Sequence, residues 1–149
     1  MDFRVPMREQ AVMVALTESE PTEYCLFLSP FSHRHNGYEL VEEYLNGPRV
    51  FFPMGCEGVP KIVNREQILW VKSPREHLDG PSFEIQEASI ILELIDGMRV
   101  EGMLEINRPV GQSRISDLLN DPHDYFVCVH EGGDTVFVNK RFIRQVILG

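Results

Sequence analysis

Patterns that carry chemistry are scarce in this chain. The three cysteines, Cys25, Cys56 and Cys128, are spread over 149 residues with no Cys-x-x-Cys pair. None of the five histidines shows a His-x₃-His spacing. Zinc sites want four nitrogen or sulfur ligands at such spacings, so no recognised metal pattern is present. An odd cysteine count at wide spacing is not a disulfide framework either. There is no Gly-x-Ser-x-Gly turn for a nucleophilic serine, and no glycine-rich phosphate or dinucleotide loop.

Other absences bear on location and partners. No stretch approaches the roughly 20 apolar residues needed to span a bilayer. The segment from Met1 to Gln10 is charged and lacks an apolar core, so it reads as a leader and not as a secretory signal. A cytoplasmic location is the expectation. Positive charge is also short, with 14 Lys and Arg against 23 Asp and Glu, a net charge of −9. Residues 1–75 hold 8 basic and 10 acidic groups, and residues 76–149 hold 6 and 13, so the second half is the acidic one. Affinity for phosphate backbones comes largely from Lys and Arg, which weighs against nucleic acid while leaving room for a local basic patch.

What is present is a repeat. Tyr44-Leu45-Asn46-Gly47-Pro48 leads through an apolar run and a glycine turn to Ile62-Val63-Asn64-Arg65-Glu66-Gln67-Ile68. Leu118-Leu119-Asn120-Asp121-Pro122 leads the same way to Phe137-Val138-Asn139-Lys140-Arg141-Phe142-Ile143. The first blocks align at a shift of 74 and the second at 75, so one residue was gained or lost between them.

Periodicity gives each repeat the same order. Val12, Val14 and Leu16 alternate as in a strand, and Tyr24 to Leu28 reads as a second. Leu40, Val41, Tyr44 and Leu45 fall on one face of a short helix that Gly47-Pro48 ends. Val50 to Met54, Lys61 to Val63 and Ile68 to Lys72 follow as strands. In the second repeat Asp96-Gly97 predicts a two-residue hairpin turn, and Ile115, Leu118 and Leu119 form the helical stripe. Tyr125 to His130, Thr135 to Val138 and Ile143 to Leu148 complete the set. The expectation is a mainly β protein of two tandem five-stranded barrels, residues 11–73 and 88–149, joined by a linker at 74–87. Each barrel has one short helix after its second strand. A closed barrel removes exposed strand edges.

The kink at Asn139-Lys140-Arg141 resembles the corner of SH3-like and Sm-like barrels, although Sm-like folds place their helix before the first strand. Arg99-Val100-Glu101-Gly102, Arg114-Ile115-Ser116-Asp117-Leu118-Leu119-Asn120 and Val138-Asn139-Lys140 also resemble a family of small uncharacterised bacterial domains. That resemblance covers roughly Ile90 to Leu148 and reaches the first repeat only through Tyr44-Leu45-Asn46 and Val63-Asn64-Arg65. It implies a fold and no activity.

Each polar group has a structural and a functional reading. Arg114, Ser116 and Asp117 read as a helix cap and first turn, with Ser113 or Ser116 as N-cap, or as a polar site with Asn139. Asn46/Asn120 and Asn64/Asn139 read as turn residues or as a shared ligand position. Lys140 and Arg141 beside Phe142 read as solvated corner charges or as an RNA contact. His33, His35, Cys128 and His130, with Cys56, would have to meet to hold a metal, and their spacing does not suggest it. Phe51 and Phe52 point to opposite faces of one strand, so one face fills its own unit and the other needs cover. The same holds for Tyr125, Phe126 and Val127. The two units are therefore expected to pack as a pseudo-dimer through these strands or the helices. The functional expectation is a non-enzymatic module, without cofactor, metal or membrane partner, that binds a protein or peptide as a monomer or homodimer. The alternatives are an Sm-like RNA-binding protein and a small-ligand-binding protein. Arg114, Asp117, Asn139, Lys140, Arg141 and Phe142 are the candidate contact residues.

Overall fold

The computed structural model describes residues 7–32, 37–76, 86–106 and 115–149. Most of the expected leader, the loop with His33 and His35, residues 77–85 of the linker, and residues 107–114 with Arg114 and Ser113 lie outside the described residues. The first half supplies β1 (Arg8–Leu16), β2 (Thr22–Leu28), α1 (Val41–Leu45), β3 (Phe51–Cys56), β4 (Val59–Asn64) and β5 (Ile68–Pro74). The second supplies β6 (Gln86–Leu94), β7 (Arg99–Ile106), α2 (Ile115–Leu119), β8 (Phe126–Glu131), β9 (Asp134–Asn139) and β10 (Ile143–Leu148). Both halves follow the expected order. Pro74, Gln86 and Glu87, assigned to the linker, are sheet residues.

The ten strands form one antiparallel sheet in the order β10-β6-β7-β8-β9-β5-β1-β2-β3-β4. The sheet is open. A closed five-stranded barrel would need β4 to pair with β5, and β9 with β10. Instead β5 pairs with β9 across the two halves, leaving β4 and β10 as free edges. Two closed barrels without edges are therefore not what forms.

The halves match strand for strand in order and register. Each reads fifth, first, second, third, fourth strand across the sheet. Leu26 faces Met54 as Leu104 faces Val129, and Cys56 closes on Val59 as Glu131 closes on Asp134. The same irregularity recurs at Leu69 on β5 and Arg144 on β10. The helices align at a shift of 74 and β3 with β8 at 75, so the inserted residue lies between Asn120 and Phe126.

Turn chemistry follows local φ. Glu57 (φ 51°) and Gly58 (φ 75°) make the β3–β4 turn with both residues left-handed. Asp96-Gly97 behaves differently from its predicted two-residue turn: only Gly97 has positive φ, at 88°. The Gly97 N–H donates to the Leu94 carbonyl at 2.9 Å, and the Asp96 carboxylate accepts the Met98 N–H at 3.0 Å. Asp96 satisfies the backbone from its side chain, so the turn is a three-residue loop with glycine in the left-handed position.

Two core clusters lie on opposite faces of the sheet at its centre, and each crosses the midline. The first joins Val14, Leu26, Leu45, Phe52, Ile68 and Val71 to Phe126 and Phe137 of the second half. The second joins Leu92, Leu104, Val129 and Val138 to Ala15, Leu69 and Trp70 of the first. Gly102 marks the tightest approach of β7 and β8: a Cβ there would lie 2.3 Å from the His130 carbonyl oxygen.

Candidate protein-contact site

The β5–β9 seam shows how one unit recognises the other. Its ladder pairs Trp70 with Val138, Val71 with Phe137, Lys72 with Val136 and Ser73 with Thr135. The β8–β9 hairpin is buried on both faces as a result. Val127, Val129, Val136 and Val138 fill their own unit, while Phe126 and Phe137 fill the first unit's core, with Tyr125 and Cys128 packed beside them.

Two asparagines fasten the seam. Asn46 caps the end of α1, and its Oδ1 accepts the Tyr125 N–H at 2.9 Å and the Phe126 N–H at 2.8 Å. Its Nδ2 donates to the Phe126 carbonyl at 3.2 Å. Asn139 is fully buried at the 3₁₀ turn Lys140–Phe142. Its Oδ1 accepts the Arg141 N–H at 3.0 Å, and its Nδ2 reaches across to the Ile68 carbonyl at 2.9 Å and the Arg65 carbonyl at 3.3 Å. Neither residue uses left-handed φ: Asn46 is at −91° and Asn139 at −67°. Their role is to satisfy backbone groups that strand pairing leaves over.

A charged cluster covers the seam's outer end. The Arg65 guanidinium lies 3.6 Å from the Tyr125 ring centroid, and Glu66 accepts from the Tyr125 hydroxyl and from Arg141. These contacts hold the Glu66 carboxyl below its usual range, first through the Tyr125 hydroxyl and then through Arg141. Burial, then the bond to Glu66, raises the Tyr125 hydroxyl.

The candidate residues are dispersed by the fold. Asp117 is exposed in the first turn of α2, and Ser116 lies inside that helix, not at its N-cap. Lys140 Nζ donates to the Leu118 carbonyl at 2.7 Å and the Asp121 carbonyl at 2.9 Å, tying off the end of α2. Arg141 binds Glu66, and Phe142 is buried in the second core. Asn139 faces the seam, so it does not converge with Asp117. His130 bonds Glu105 at 2.9 Å and Thr135 at 3.0 Å. Burial pushes the Cys128 thiol well above its ordinary value, as for a thiol packed among apolar side chains. Among the described residues no group of three or more His, Cys, Asp or Glu is placed to hold a metal ion. No helix among them is long and apolar enough to cross a membrane. An open groove of about 320 Å³ lies between Glu9, Glu23, Cys25, Phe27 and Glu57. Burial and the nearby Glu9 raise the Cys25 thiol, so the groove presents no activated nucleophile.

The seam's counterparts at the ends of the sheet lack partners. Register equates Phe51 with Phe126 and Ile62 with Phe137. Phe51 is 55% exposed and Ile62 73%, against 1% and 3% for the seam residues. The expectation that the partner unit covers the second face of β3 is corrected here, since that cover exists for β8 alone. The sequence shows the demand for cover but carries no signal for which strand edge meets which. Comparison with family models, curated proteins and solved structures finds no match to this chain.

Proposed function

We propose that this chain is a non-enzymatic protein-interaction module built on two tandem units of the SH3-like or Sm-like kind. Its contact surface is the outer face of the β3–β4 hairpin. The observation that carries this reading is the exposed apolar strip of Phe51, Pro53 and Ile62 on one face of the hairpin, with exposed Val50 next to Phe51 in the chain. Clustered apolar side chains on a free strand edge are what a protein partner covers, by burial and by strand addition. The same hairpin in the second unit is already covered in this way by the first unit, so the surface type is one this fold recognises.

The test compares the tagged wild type with a Phe51→Glu/Ile62→Glu variant whose circular dichroism and melting temperature match it. Both are used to capture proteins from native lysate, with and without nuclease. Proteins that survive nuclease and are absent with the variant are the expected result. Loss of all bound protein on nuclease treatment, or identical capture by both chains, overturns the reading.

A further inference from the structure

The two free ends of the sheet are counterparts of the two strands that already pair at its centre. β10 occupies in the second unit the place that β5 occupies in the first, and β4 stands to the first as β9 to the second. We infer that the partner of the Phe51–Ile62 surface is a second copy of this chain, docked head to tail, with its β10 edge against β4. This rests on the reading of that surface as a protein contact.

Four observations carry it. The first is continuity of register. Carrying the seam's pairs to the free ends sets Gln145 against Val63, Val146 against Ile62, Ile147 against Lys61 and Leu148 against Pro60. Pro60 lacks one donor, so this ladder has one bond fewer than the seam.

The second is a matched pair of unfinished cores. In the first unit Val41, Leu45, Ile68 and Val71 are fully buried, because Phe126 and Phe137 cover them. Their counterparts Ile115, Leu119, Ile143 and Val146 are only half-buried. Phe51 and Ile62 are the side chains that stand where Phe126 and Phe137 stand, and they are the exposed ones. One copy has the open core and the next has the apolar residues that close it.

The third is the pair of asparagines. Among the described residues Asn120 Nδ2 bonds only its own helix, at the Ser116 carbonyl, while Asn46 holds the start of β8. No side chain among the described residues accepts from the Val50 or Phe51 N–H. Asn64 Oδ1 accepts the Glu66 N–H as Asn139 accepts Arg141, but its Nδ2 has no acceptor among the described residues. A docked copy supplies both missing sets.

The fourth is charge. At the joint Arg141 takes the position of Glu66, and Glu66 of the next copy takes that of Arg141, so opposite charges meet again with their roles exchanged. Where the seam sets Lys72 by Asp134 at 3.8 Å, the joint sets Ile147 by Val59, both exposed and apolar. Arg144 and Gln145 replace Leu69 and Trp70, so one side of the joint is polar and the contact is weaker than the seam. A head-to-tail join closes as a ring when its rotation divides the circle and otherwise continues as a filament.

Analytical ultracentrifugation of purified protein, from low to high micromolar concentration at roughly physiological salt, where the Debye length is about 8 Å, tests it. Species larger than the monomer are expected, with Ile62→Glu weakening association by about tenfold or more. Orientation is read by mixing two singly substituted chains, Lys61→Cys and Ile147→Cys, under mild oxidation. A disulfide between copies is expected in the mixture and in neither chain alone. A wild type that stays monomeric overturns the inference. So does a cross-link formed by Lys61→Cys with itself, since that is a two-fold contact. If the chain is monomeric but the Phe51–Ile62 surface still captures a different protein, the inference fails and the proposed function stands. If that surface captures nothing and mediates no association, both fall.

Discussion

Phe126 and Phe51 hold one position in two copies of one fold, yet the first is 1% exposed and the second 55%. The two residues are the same amino acid on strands of matched register, so neither propensity nor local packing separates them. The neighbour on the outer side separates them. Phe126 has the first unit across the β5–β9 ladder, and Phe51 has solvent. A head-to-tail join treats two like units unequally: it covers the leading face of one and the trailing face of the other.

The strongest test of that difference is truncation at the matched positions. Phe126→Ala is expected to destabilise the chain by about 3–5 kcal/mol, as for large aromatic core residues. Phe51→Ala should stay within about 0.5 kcal/mol in the monomer. Urea unfolding of both variants reads the gap directly, and equal losses would mean that the exposure difference does not hold in solution.

Asn46 and Asn120 sharpen the comparison at a second pair. Asn46→Ala leaves the Tyr125 and Phe126 N–H groups without their acceptor, a loss of about 1–3 kcal/mol. Asn120→Ala removes one exposed bond and should cost about 0.5 kcal/mol or less. Denaturant midpoints at constant slope measure both. Gly102→Ala tests a place where the units differ in the other sense. Its counterpart in the first unit is Tyr24, but at Gly102 an added Cβ meets the His130 carbonyl, and the variant should lose about 1–3 kcal/mol.

The smallest effect belongs to Glu66. Its carboxyl is held below the usual value by the Tyr125 hydroxyl and Arg141, so the ionised form is the one the folded seam favours. That contribution is fully present above the unfolded carboxyl pKa of about 4.3 and is lost as pH falls through the lower folded value. The group is partly exposed, so the effect is within about 1 kcal/mol. Stability profiles of wild type and Glu66→Gln should converge in acid and separate toward neutral pH.

Much of the scaffold was legible in the sequence because it is local. Alternation at Val12, Val14 and Leu16 and the stripe at Val41, Tyr44 and Leu45 reflect one strand or helix at a time. The two-sided demand of Phe51-Phe52 and Tyr125-Phe126 was legible for the same reason. Which edge pairs with which was not, because β5 and β9 lie far apart in the chain and no local pattern ties Trp70 to Val138. The corner at Lys140, Arg141 and Phe142 looked like one surface cluster. The 3₁₀ turn sends the three apart: Lys140 to the end of α2, Arg141 to Glu66 and Phe142 into the core. Asn46 and Asn139 were visible as repeated asparagines, but their cross-unit bonds depend on the seam and could not be read before it.

The position of Phe126 and Phe137 in the first unit's core also sets an order of events during synthesis. The first unit's strands end at Pro74, and the last side chain its core requires is Phe137. At translation rates of about 5–20 residues per second, the ribosome needs roughly 3–13 seconds to make the intervening segment. Through that interval Leu45, Ile68 and Val71 have no lid, and β5 has an open edge. The nascent first half is therefore the stage at which this chain is most open to chaperone capture or mispairing, and a ribosome pausing between β5 and β9 would lengthen that exposure.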